Sequence, residues 1–89
     1  MNRQIGVSGI GDSMRILIVE DDQVLGAAVR DQIAADGQSV DWVKRLDAAG
    51  DAMRGAAYDL VLLDLMLPDG QGIGFLKALR ARGDVTPVI

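Results

Sequence analysis

The stretch "LLDLMLPDGQG", residues 62–72, sets one charged residue, Asp64, inside a run of Leu and Met and follows it with a turn made of Pro68, Asp69 and Gly70. A carboxylate buried without a partner costs several kcal/mol, or titrates until it is neutral. Asp64 is therefore either tolerated at the end of a strand, or the fold is arranged around it. The residues in front of it, Asp59-Leu60-Val61-Leu62-Leu63, are apolar apart from the first. Such a run suits a strand covered on both faces, with Asp64 at its end.

The same plan occurs earlier in the chain. Arg15-Ile16-Leu17-Ile18-Val19 is a β-branched apolar run that ends in Glu20-Asp21-Asp22. Val24, Leu25, Ala28, Val29 and Ile33 then recur at helical spacing, with Asp22 as N-cap and Gly37 as the stop. Ser39 to Val43 alternates as a second strand, and the Ala-rich Leu46–Gly55 reads as a second helix. Ile73, Leu76 and Leu79 mark a third helix closed by Arg80, Arg82 and Gly83, and Val85–Ile89 opens a fourth strand. The order β-α-β-α-β-α-β predicts an α/β fold with parallel strands and right-handed crossovers. Residues 1–13, with three Gly and two Ser, read as a flexible leader, with Met14 as an alternative start and residues 14–89 as the domain. Gly6, Gly9 and Gly11 precede the first strand, so they lack the strand-then-helix setting of a phosphate loop.

Composition removes several function classes. The 89 residues carry no Cys and no His, which excludes disulfides, thiolate metal sites, zinc-type imidazole ligation and a histidine general base. The apolar runs are far short of a membrane span. The net charge of -4 speaks against nonspecific DNA binding by this segment. With only Trp42, Tyr58 and Phe75 as aromatics, the core must be aliphatic.

Two strands thus finish in carboxylates, Glu20 and Asp21 after the first and Asp64 after the third. In open parallel sheets, ligands gather at the carboxyl ends of strands. If the first and third strands are neighbours, about 4.8 Å apart, three acidic side chains converge. Their repulsion calls for a cation, and an all-oxygen ligand set favours Mg²⁺, Mn²⁺ or Ca²⁺. The competing reading is three solvated strand-end acids. A haloacid-dehalogenase-like phosphatase would also use such a site, but "VEDDQ" does not supply its D-x-D pattern.

"ILIVEDD" followed by "DLVLLDLMLPDGQG" resembles the receiver domain of two-component response regulators, and most closely receivers of the OmpR/PhoB winged-helix type. The resemblance covers Met14 to Ile89. It implies a flavodoxin-like (CheY-like) parallel sheet, incomplete here, with strand order 2-1-3-4. It implies that Asp64 accepts a phosphoryl group from the phosphohistidine of a sensor histidine kinase. It further implies Mg²⁺ held by Asp21, Glu20 and Asp64, with the backbone carbonyl of Met66 as another ligand. The chain is expected to be cytoplasmic and not an enzyme, beyond Mg²⁺-dependent self-phosphorylation from a donor. DNA is expected as a partner only through a domain absent from this sequence.

Receivers of this type also carry a Ser or Thr at the end of the fourth strand, and a Lys and an aromatic switch at the fifth. Those positions lie past Ile89; Thr86 sits too early in its strand, and Lys44 and Lys77 belong to other elements. Two functional expectations follow. One is a phosphoacceptor module controlling transcription. The other is a signalling-incompetent receiver segment with a structural role, forming a homodimer by exchanged elements or paired edges.

Overall fold

A computed structural model describes residues 13–89. The expected leader, apart from Ser13, and the glycines at 6, 9 and 11 lie outside the described residues. The central strand is β1 (Arg15–Val19), parallel to β2 (Ser39–Val43) on one side and β3 (Leu60–Leu63) on the other. Ile18 stands opposite Trp42 and Leu62, and Ile16 to Val19 are all buried. This placement accounts for the unbroken apolar run: a middle strand has no solvent face.

The sheet order is β2-β1-β3, and the C-terminal segment extends it along the free edge of β3. There Val61 N–H donates to the Pro87 carbonyl and Ile89 N–H to the Val61 carbonyl, each at 2.9 Å. The expected order holds for its first three strands, 2-1-3, while the expected fourth strand over Val85–Ile89 is a single parallel bridge between Val61 and Val88.

Helices α1 (Gln23–Ala35), α2 (Leu46–Gly55) and α3 (Gly72–Ala81) follow the three strand runs. Asp22 caps α1, its Oδ1 accepting the N–H groups of Val24 and Leu25 at 2.9 Å. The main core lies on the face carrying Leu17, Val19 and Val61, packed with Ala49 and Met53 of α2, Tyr58, and Leu79 of α3. Leu17, Val19 and Val61 are fully buried, each burial contributing about 1.5–3 kcal/mol. On the opposite face Gly26 of α1 sits against the Trp42 indole, where a Cβ would lie 2.2 Å from a ring carbon. Only glycine permits that approach. Beside it Leu25, Val29, Ile18, Leu62 and Ile89 line an apolar cleft of about 220 Å³.

At the N-terminal edge of the sheet, charged groups are paired. Arg15 N–H donates to Asp59 Oδ2 at 2.8 Å, and its guanidinium lies 3.1 Å from Asp41 and over the Tyr58 ring. The Tyr58 hydroxyl donates to Asp41 Oδ2 at 2.6 Å. This hydroxyl, then Arg15, holds the Asp41 carboxyl below its ordinary value.

The turn read after Asp64 has more structure than the sequence suggested. β4 (Met66–Leu67) and β5 (Gly70–Gln71) form a small antiparallel hairpin with Pro68 and Asp69 at its tip. Gly70 takes φ +148°, a backbone conformation that residues with side chains rarely adopt.

Candidate metal centre

Ladder hydrogen bonds carry two of the three acids to the same rim. Asp64 N–H donates to the Val19 carbonyl at 3.0 Å, and Glu20 N–H to the Val43 carbonyl at 3.0 Å. Each acid is therefore fixed by backbone pairing one residue beyond its strand. Glu20, Asp21 and Asp64 each present a carboxylate oxygen, and the three oxygens lie within 4.8 Å of one another. Glu20 and Asp64 are half-buried, while Asp21 faces solvent.

Two carboxylates are steadied from nearby backbone. Glu20 Oε2 accepts the Asp22 N–H at 3.1 Å, and Asp64 Oδ1 accepts the Met66 N–H at 3.3 Å. The Trp42 indole N–H donates to the Glu20 carbonyl at 2.8 Å, which ties β2 to the same corner. Among the described residues, none of the ion pairs includes Glu20, Asp21 or Asp64. Burial pushes the Glu20 carboxyl above its ordinary value; the Asp22 N–H opposes this, and the Asp64 and Asp21 carboxylates add to it. A half-buried cluster of negative charge without a protein cation fits a divalent metal held by oxygen.

The response regulator receiver domain profile matches residues 16–89. The chain belongs to that family. Among curated proteins, the receiver is 42% identical over 55 residues to the transcriptional regulatory protein QseB of Escherichia coli O157:H7, covering 62% of this chain and 25% of that protein. Among solved structures it resembles the non-phosphorylated HemR receiver domain of Leptospira biflexa, with TM-score 0.79 and 37% identity. That match covers 85% of this chain and 61% of HemR. It also resembles the MaeR response regulator bound to beryllium trifluoride, with TM-score 0.80 and 33% identity over 85% of this chain and 64% of that one. The receiver thus spans about a quarter of the curated relative's length and less than two thirds of these two structures. Among the described residues, no helix is long and apolar enough to cross a membrane.

Sequence reasoning placed Glu20, Asp21 and Asp64 at one rim, and they meet there. It read Asp69 only as a turn residue. In the structure Asp69 reaches back to α2, accepting the Leu46 N–H at 2.8 Å and the Asp47 N–H at 3.0 Å. A signal was available: α2 begins after Arg45, which makes no side-chain cap bond. A helix start with no local cap points to one supplied from elsewhere.

Proposed function

We propose that Asp64 is the phosphoacceptor of a response-regulator receiver and that Glu20, Asp21, Asp64 and the Met66 carbonyl hold Mg²⁺ beside it. The observation that carries this reading is the convergence of three carboxylate oxygens within 4.8 Å, at the carboxyl ends of adjacent parallel strands. The ion would neutralise charge on the acceptor and the incoming phosphoryl group.

The chain's own residues supply position. The Asp64 carboxylate attacks phosphorus, an O–P bond forms, and the donor's P–N bond breaks with its electron pair left on the histidine nitrogen. With acetyl phosphate the broken bond is P–O, and acetate leaves. The bond from the Asp64 N–H to the Val19 carbonyl roots the acceptor in the sheet, and a rooted nucleophile loses little entropy on alignment. The donor is a sensor histidine kinase, and the setting is the cytoplasm. The output is transcriptional, through a DNA-binding domain outside this sequence, and the receiver itself is no enzyme beyond its own phosphorylation.

Acetyl phosphate with Mg²⁺ tests this directly. Intact mass gains one phosphoryl group in the wild type and none in Asp64→Asn; full labelling of that variant overturns the assignment. A Mg²⁺-dependent beryllofluoride complex is the matching expectation in binding.

A structural, dimer-forming role is the second reading. On its side stands the apolar cleft between α1 and β3, where Leu25 and Ile89 are 50% and 78% exposed. A monomer by light scattering at micromolar concentration overturns it.

A further inference from the structure

The hairpin that follows Asp64 is anchored at both ends. At its base, Gly72 N–H donates to the Leu65 carbonyl at 2.8 Å. A Cβ on Gly72 would lie 2.3 Å from the Asp64 carbonyl, so the backbones there are in direct contact. At its tip, the Asp69 carboxylate takes two N–H groups of the first turn of α2, with the Arg45 guanidinium 3.6 Å away. Those N–H groups, Leu46 first, hold the Asp69 carboxyl below its ordinary value. Gly70 packs on the same turn, its Cβ position 3.2 Å from Leu46 Cδ1.

Side chains between these anchors contribute little. Leu65 and Met66 are 61% and 68% exposed, and Leu67 reaches the core only at its margin. The peptide that carries the Met66 carbonyl is therefore located by the two anchors more than by its own packing.

We propose that Asp69 is a positioning residue for the metal centre: its cap on α2 fixes the hairpin, and the fixed hairpin sets how tightly the Asp64–Met66 segment binds Mg²⁺. This rests on the metal reading given above. Asp69 touches neither the metal ligands nor a phosphoryl group. It acts by removing conformations of the hairpin in which the Met66 carbonyl points elsewhere, an entropy that binding would otherwise have to overcome. The cap also makes the first turn of α2 part of the site's support, across 23 residues of sequence.

Mg²⁺ titration of the 89-residue chain tests the proposal, read by calorimetry and by emission of Trp42, whose indole N–H is held on the Glu20 carbonyl. Asp69→Ala should raise Kd about tenfold, the lower end of what supporting residues contribute to metal sites. Asp69→Asn keeps a capping oxygen but not the charge, and should recover Kd to within about threefold of wild type. Tyr58→Phe, at the far end of the sheet, should lower Tm and leave Kd unchanged. If far-UV circular dichroism shows Asp69→Ala unfolded, Asp69→Ser replaces it, with a rise of about threefold expected from its shorter cap. An unchanged Kd in the Ala variant, or in the Ser variant used in its place, overturns the inference. So does an Asn variant as weak as Ala, which would make the effect one of charge, or a Tyr58→Phe variant weakened as much as Ala, which would make it general loosening. Absence of saturable binding by the wild type, or unchanged binding in Asp64→Asn, overturns the metal reading itself and this inference with it.

Discussion

The two ends of the sheet use the same residue types to opposite effect. At the N-terminal edge, Asp41 and Asp59 are matched by Arg15, by the Tyr58 hydroxyl and by a backbone N–H. At the carboxyl rim, Glu20, Asp21 and Asp64 converge with no ion pair among the described residues. Both clusters draw on β1 and β3, the second at their carboxyl ends, so membership of those strands does not separate them. Partners do. Acids that complete their bonding within the chain support the fold, and acids left without a cation are available to something outside it.

Metal should break the symmetry most strongly. On the metal reading proposed above, Mg²⁺ at about a hundredfold over its Kd would stabilise the fold by about 2.7 kcal/mol, which in a domain this size would raise Tm by roughly 10–20 °C. Differential scanning fluorimetry should show that rise in the wild type and in Asp41→Ala, and none in Asp64→Asn.

Without Mg²⁺, removing an acid should have opposite signs at the two ends. Asp41→Ala should cost about 1–2 kcal/mol in urea unfolding, for two lost bonds to a carboxylate that is 45% exposed. Asp64→Asn should gain about 1 kcal/mol, because one of three crowded charges is gone. Two losses of equal size would show that the carboxyl rim is held together by bonds of its own. Tyr58→Phe removes a single bond and should cost less, about 0.5–1 kcal/mol.

The smallest effect is with pH. Asp41 and Asp69 both titrate below their ordinary value of 3.8, so their stabilisation is complete above that value. It is lost as pH falls through the lower, folded-state values. In acid titration followed by circular dichroism, Asp41→Asn should show a shallower loss of stability below pH 3.8 than the wild type. An identical slope would show that Asp41 is not part of that acid response.

Much of this could be read from the sequence because the signals are local. An apolar run marks a strand, period-3.6 spacing marks a helix, and an acid after a strand lies at its rim; α2 and β2 fall on the expected residues. The rest depends on pairs distant in sequence. The start of α2 after Arg45 shows that a cap is missing but not that Asp69 supplies it, and nothing around Asp41 announces Tyr58. In sequence the hairpin reads as a simple turn, because Met66–Leu67 and Gly70–Gln71 are too short for a strand pattern to register. Gly26 carried no visible signal either, since its reason is a ring on another element.

That last contact constrains how the chain can change. A side chain at position 26 would occupy the space of the Trp42 indole, so a change at 26 calls for a change in the placement or size of the residue at 42. Where a relative fills position 26 and carries something smaller at 42, the N–H that Glu20's carbonyl now accepts goes with the indole. Drift at one glycine on a helix would therefore be felt, through a single ring, at the corner where the acids meet.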